Sequence, residues 1–419
     1  MSGRDAERRA TGGTGRPTPR PLPAAVPQRD RERLLAGRAW AEFCDQLRRA
    51  GEVVLDPAAP SGDLERAEGF RYLATLAAAG IRHAFDLADP ERPRFLRNPD
   101  SASKWGAENA DNVYLLAKIR SDRHYRIVGR RGSAYTFLIE TKEGYMQLGQ
   151  SRNFASVEAS ELEIAPDGRF EIALSRERQP GNWIPLHPDA TQVLIRQYLW
   201  DWQREVPAEF RIFEVEGEGR APELLEPAGV ARLLDEAGHW IVSTAQVWAD
   251  WVAGLRRDHV PGRLAPARRF VGGADDIWYG NDAYRLAPDE VLLVEFDPPD
   301  ARYWHIQLVD LWFETLDYAN RQTSLNGHQL VRDADGRVRV VIAHRDPGVP
   351  NWLDTAGHAE GLIQYRYVWT KNAPEPRARL LPWSALGEAL PAGTPRVTPE
   401  ARRRQIAARQ AHVAWRERA

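Results

Sequence analysis

Four of the chain's ten histidines, His305, His328, His344 and His358, fall in one stretch that also carries Asp310, Arg321, Asn326 and Asp354. Histidine exchanges a proton near neutral pH, a neighbouring carboxylate can orient its ring, and an arginine can hold an anionic or carbonyl group. Asp354 and His358 follow Asn351-Trp352, and Thr355-Ala356-Gly357 between them breaks any strand pattern, which places both on a loop. His344 extends the inward face set by Val340 and Ile342, at the mouth of a sandwich, where ligands bind in such folds. The candidate site is therefore Asp354, His358 and His344 for proton chemistry, with Arg321, Asn351, Trp352 and Arg366 to hold substrate. A plainer reading makes Asp354 the cap of a turn, points His358 at solvent, and treats Asn351-Trp352 as a turn with a core-capping indole. In that reading Arg366 is a buried guanidinium with a carboxylate or carbonyl partner.

Other chemistries find less support. No histidine pair has the His-x-His or His-x-x-x-His spacing of a metal site, so no metal is expected. A carboxylate pair for sugar hydrolysis could come from Asp310, Glu314 or Asp354, and would depend on their separation. The chain has no Gly-x-Ser-x-Gly elbow, phosphate-binding glycine loop or dinucleotide fingerprint, and no cofactor is expected.

The elements that must position these residues come in two copies. Val113–Lys118 leading to Tyr125 resembles Val291–Phe296 leading to Tyr303, and Asp167-Gly168-Arg169 resembles Asp335-Gly336-Arg337. Asn182-Trp183 then matches Asn351-Trp352, and Arg196 matches Arg366, all in the same order. After each Asp-Gly turn apolar residues alternate with others, as Phe170, Ile172, Leu174 and again as Val338, Val340, Ile342, which predicts antiparallel hairpins. The fold class is mainly β with helical additions, as two tandem homologous jelly-roll-like β-sandwiches. Residues shared by both copies most simply do one structural job twice. Residues found in one copy are freer to be functional.

Around the sandwiches, residues 1–28 are rich in Arg, Pro and Gly and are expected to be a disordered tail. A helical region over 29–94 precedes the first sandwich, 95–216. A linking helix within 217–267 carries a wide apolar stripe including Trp240, Ile241, Trp248 and Trp251, expected to be buried. The second sandwich spans 268–385, and a helical tail over 386–419 opens at Thr398-Pro399 and bears Arg402-Arg403-Arg404, read as a solvated face.

The whole chain has 419 residues, 43% hydrophobic and 28% charged, with a formal net charge of -2. That balance gives no field to draw it to nucleic acid or to an anionic membrane. The single Cys44 excludes an internal disulfide and suggests a reducing, cytoplasmic location. No apolar run is long enough to cross a bilayer, and no signal peptide is read.

Tyr303-Trp304, Asn320-Arg321, the Asp335-Gly336 turn, Asn351-Trp352-Leu353 and Arg366 before an aromatic together resemble the bacterial family called domain of unknown function 1214. The resemblance covers about residues 268–385 well, and the first copy more loosely. It implies paired jelly-roll sandwiches and carries no activity. Asp354 stands where the family commonly has proline. Two functions stay open: an enzyme or binding protein for a carbohydrate or other small polar or lipid-like molecule, sited in the second sandwich, or a non-catalytic lectin-like or assembly protein. The expected partner is a small-molecule ligand, and homo-oligomerisation stays open.

Overall fold

The computed structural model describes residues 22, 24–270 and 276–417. Most of the expected tail lies outside them, but Pro27 and Gln28 open a helix, because proline fits the first helical turn. Helices α1 (Pro27–Leu35), α2 (Arg38–Leu55) and α3 (Asp63–Phe85) precede the strands. The linking helix α4 is Pro227–Asp258, and the C-terminal α5 is Pro399–Arg416.

The first copy contains β1 (Leu96–Arg97), β2 (Asn112–Lys118), β3 (Tyr125–Arg130), β4 (Thr136–Lys142), β5 (Asn153–Glu158), β6 (Arg169–Ser175), β7 (Trp183–Pro185), β8 (Gln192–Tyr198) and β9 (Glu209–Glu214). The second contains β10 (Ile277–Arg285), β11 (Glu290–Phe296), β12 (Ala301–Val309), β13 (Ser324–Asn326), β14 (Val338–Ala343), β15 (Trp352–Asp354), β16 (Glu360–Thr370) and β17 (Arg377–Pro382). Each copy forms two sheets. The orders β1-β2-β8-β4-β5 and β7-β6-β3-β9 are repeated as β10-β16-β12-β13 and β15-β14-β11-β17. Strands β2 to β9 thus answer one to one to β10 to β17, and the chain is two tandem homologous β-sandwiches.

Registers confirm the duplication at its turns. Trp183 pairs with Ala173 and Trp352 with Val341, each on a short strand parallel to its neighbour, whereas the other pairings are antiparallel. Arg196 and Arg366 occupy the central strands β8 and β16. The apolar matches need correction. Val113 lies on β2, whose counterpart is β10, while Val291 lies on β11; Tyr125 opens β3, while Tyr303 sits on β12. Any inward-facing sandwich strand alternates in the same way, so alternation alone does not say which strand is which.

Each sandwich closes on its own core, around Ile127, Phe137, Ile172 and Ile195 in the first and Val294, Ile306, Val340 and Ile363 in the second. In α4, Trp240, Ile241 and Trp248 are buried and Trp251 half-buried. Trp240 and Ile241 pack among Phe43 and Val54 of α2 and Tyr72 and Leu76 of α3. The α3 helix is pinned onto the second sandwich at Gly69, where a Cβ would stand 2.6 Å from the Trp312 ring, and by Trp312 Nε1 donating to the Glu65 carbonyl at 2.7 Å. The C-terminal arginines are not all solvated. Arg402 is buried, donating to Asp346 and to the Val349 carbonyl, because α5 folds back across the second sandwich.

Candidate functional site

Asp354, Arg321, His358 and His344 gather at a seam between the second sandwich and α3, whereas Asn326 and His328 turn to Asp111, Trp200 and Asp201 of the first copy. Asp354 ends the short strand β15 instead of lying on a loop; its Oδ1 accepts from the Ala356 N–H, capping the turn, and its Oδ2 accepts from Arg321 Nη1 at 2.9 Å. His358 is buried and does not face solvent. Its Nδ1 lies 2.8 Å from the Thr355 carbonyl and its Nε2 2.8 Å from Glu68 of α3. The carbonyl can only accept, as does an ionised carboxylate, so the arrangement suits an imidazolium donating from both ring nitrogens. Burial opposes that charge, but the hydrogen bond and charge of Glu68 outweigh it and hold the His358 pKa above the usual histidine value. His344 Nδ1 meets the Thr355 hydroxyl at 2.7 Å. Thr355 therefore joins the two histidines, one residue from Asp354.

Asn351 and Trp352 have local duties. Asn351 exchanges two hydrogen bonds with the Val331 backbone, as Asn182 does with Glu163, and Trp352 Nε1 donates to the Ala343 carbonyl. Asp310 and Glu314, proposed as a carboxylate pair, are also buried. Asp310 accepts the N–H groups of Trp312 and Glu314, Glu314 pairs with Arg71 of α3, and burial raises the pKa of both carboxyls.

Of the seven candidate site residues, Arg366 alone reaches a cavity of about 230 Å³ that lies between the two copies. One wall is the first copy's sheet, through Tyr114 and Leu116 of β2 and Leu194, Arg196 and Tyr198 of β8. The facing wall is the second copy's sheet, through Ile277, Tyr279 and Asn281 of β10 and Gln364 and Arg366 of β16. Trp248 and Trp251 of α4, with Phe270 and Phe313, close the apolar side, and the segment Trp105–Asn109 closes another. Several polar atoms on this lining are buried and make no hydrogen bond among the described residues: the Tyr198 hydroxyl, Asn112 Oδ1, both carboxyl oxygens of Glu108, and the indole nitrogens of Trp248 and Trp251. A buried polar atom without a partner is costly, and a cluster of them around a cavity marks where a ligand's polar atoms would sit.

Charge around the cavity is uneven. Arg196 forms an ion pair with Glu140 of β4. Burial works against its charge, but the Glu140 carboxylate outweighs it and raises the guanidinium pKa. Arg366 has no carboxylate within ion-pairing reach among the described residues. Its Nη1 donates to His305 Nε2 at 2.9 Å and its Nη2 to the Ala107 carbonyl at 2.6 Å. Burial and the Arg366 charge hold the His305 pKa far below the usual value, so this imidazole is neutral and balances nothing. Glu108, the residue after Ala107, has its carboxyl pushed up to about 8 by burial, against the Lys104 charge and nearby backbone N–H groups of Glu108 and Thr315. The site can hold an anion at Arg366, donate a hydrogen bond from a neutral acid, and enclose a flat apolar body.

The cavity residues of the first copy and of α4 were missed, and Glu108 stands in no motif. One signal was present: an arginine shared by both copies whose partner differs. In the strand register Glu140 answers to Gln307 and Leu138 to His305. No group of histidines, cysteines and carboxylates among the described residues is arranged to hold a metal ion.

The family model described as "Protein of unknown function (DUF1214)" matches residues 118–200 and 272–371, parts of both copies. A crystal structure of an uncharacterized protein from Burkholderia cenocepacia is 36% identical, with a TM-score of 0.81, over 85% of this chain and 99% of its own. A second crystal structure, from Vibrio parahaemolyticus, is 12% identical over 74% of this chain and 98% of its own, with a TM-score of 0.43. No curated protein matches the chain.

Proposed function

The chain belongs to the DUF1214 family, itself described as of unknown function, and from that premise we propose that it binds a small, largely apolar molecule in the cavity between its sandwiches. The observation that carries this reading is the set of buried, unpartnered polar atoms on a lining rich in aromatic residues. Such a cavity, mostly apolar with a few convergent polar groups, is the usual form of a small-molecule site. The reading moves the ligand from the second sandwich alone to the junction of both copies, and favours the lipid-like end of the expected range over a carbohydrate. A concave site also favours ligand binding over a lectin-like or assembly role, which needs only a shallow groove or a flat edge. No helix among the described residues is long and apolar enough to cross a membrane. The single thiol, Cys44, is in keeping with a reducing compartment and a cytoplasmic ligand.

Incubation with a metabolite extract, followed by mass spectrometry of bound and of altered compounds, tests the proposal. Wild-type protein is expected to retain a compound that Leu194→Trp, which fills the cavity, does not. Equal retention by a folded Leu194→Trp variant would place the ligand elsewhere. Conversion of the retained compound would add an enzymatic step.

A further inference from the structure

Resting on the cavity reading, we propose that the ligand is a small aromatic or similarly flat carboxylic acid bound as its anion, with Arg366 taking the carboxylate and a neutral Glu108 donating a hydrogen bond to it. Three observations converge. First, the cavity lining carries a guanidinium without a counter-charge. A buried charge needs a partner, and Arg196, which answers to it in the first copy, already has Glu140. A carboxylate presents two oxygens in the plane that a guanidinium's donors match.

Second, Glu108 is placed to serve the same ligand group. The Ala107 carbonyl accepts from Arg366 Nη2, and Glu108, the next residue, lines the same cavity without forming an ion pair with that guanidinium. Glu108 is 4% exposed and lines the cavity; the backbone N–H groups of Glu108 and Thr315 lie near its carboxyl, but neither oxygen is in good hydrogen-bonding geometry with a described residue. Ionised, it would compete with a bound carboxylate; protonated, it supplies an O–H donor to it. Behind it lie Lys104, whose ammonium donates to the Thr315 and Leu316 carbonyls, and Asp310, Glu314 and Tyr318. Arg196, Arg366, Lys142, Tyr114 and Tyr279 belong to the same lining on β8, β16, β4, β2 and β10. Third, one side of the cavity is apolar, formed by the rings of Trp248, Trp251, Phe270 and Phe313, against which an aromatic body can pack.

Binding of this kind is coupled to a proton. A bound anion favours the protonated Glu108, whose carboxyl burial has already pushed up to about 8. Affinity is therefore full below that pH and falls as pH rises through it.

Titration calorimetry with cinnamate, its neutral amide cinnamamide, and phenyl phosphate tests each part. Cinnamate is expected to bind about tenfold or more tighter than cinnamamide, the size of a buried charge-assisted contact. Arg366→Gln should erase that preference, and Arg366→Lys should keep part of it, which separates lost charge from lost fold. Glu108→Gln keeps a donor but cannot titrate, so between about pH 6 and about 9.5 its cinnamate affinity should stay flatter than the wild type's. Cinnamamide binding as tightly as cinnamate, phenyl phosphate binding more tightly, or a pH profile shared by wild type and Glu108→Gln would each overturn the proposal while leaving the cavity reading intact. Failure of all three probes and of naphthalene to bind would overturn the cavity reading as well.

Discussion

Strands β8 and β16 hold the same place in their sandwiches, and each carries an arginine on the cavity lining between the copies. Their surroundings differ at two neighbouring positions. Where the first copy has Leu138 and Glu140 on β4, the second has His305 and Gln307 on β12. Glu140 closes an ion pair with Arg196, whereas a neutral His305 and the Ala107 carbonyl hold Arg366 in place without cancelling its charge. A duplicated scaffold supplies the same geometry twice, and the residue beside the shared arginine decides which copy stores a structural ion pair. The other copy is left to present charge to a ligand.

The sharpest way to break this comparison is to remove each arginine's partner. Glu140→Leu leaves Arg196 buried and uncompensated, an expected loss of about 3–5 kcal/mol in stability. His305→Leu removes one neutral acceptor from Arg366, which keeps the Ala107 carbonyl, so about 1–3 kcal/mol is expected. Urea unfolding of both variants checks this, and equal losses would mean that the two arginines are balanced alike.

The copies differ again at the seam. Asp354 stands at the ladder position of Pro185, and the second copy alone sends His358 to a helix, through Glu68 of α3. The His358 pKa is raised in the folded protein, so its contribution is fully present below the unfolded value of about 6.5 and is lost as pH rises through the folded value. Asp310 and Glu314, raised by burial, push stability the same way. His358→Gln should therefore cost about 1.5–3 kcal/mol near pH 6, the range for a hydrogen bond to a charged group, and clearly less near pH 9. Denaturant midpoints across that range would show it; a cost independent of pH would make the contact one of packing.

What could be read in the sequence follows from what each residue does locally. Asp167-Gly168, Asn182-Trp183 and their second copies were legible because a turn needs particular residue types at fixed offsets, with Gly168 and Gly336 at positive φ. The apolar strands were legible as strands but not by identity, hence the one-strand displacement of Val113 against Val291. The cluster of Asp354, His358, His344 and Arg321 was visible as a loop-centred group, but Glu68, nearly 300 residues away, was not. The cavity was hidden for the same reason, since Glu108, Tyr198, Trp248 and Arg366 meet only through the packing of two sheets and a helix. The rule that shared residues are structural also concealed it. Arg196 and Arg366 are shared, and their difference lies in their neighbours.

The smallest expected effect sharpens the comparison from the opposite side, where the copies should agree. Asn182 and Asn351 each fasten the strand after them by hydrogen bonds to an approaching backbone segment, Glu163 in one case and Val331 in the other. Asn182 makes a third bond, to the Glu171 carbonyl, so a count of bonds would make it the more important of the two. Burial argues the reverse. Asn351 is 6% exposed and its two bonds to Val331 are partly buried, so Asn351→Ala, which leaves that N–H and carbonyl unpaired, should cost about 1–3 kcal/mol. Asn182 is only half-buried, water can replace its amide, and Asn182→Ala should cost about 0.5–1.5 kcal/mol. Neither change touches the cavity lining, so both variants should keep the wild-type preference for cinnamate over cinnamamide. A larger loss at Asn182 would mean that bond number outweighs burial at this turn, and a changed ligand preference in either variant would tie the turns to the cavity.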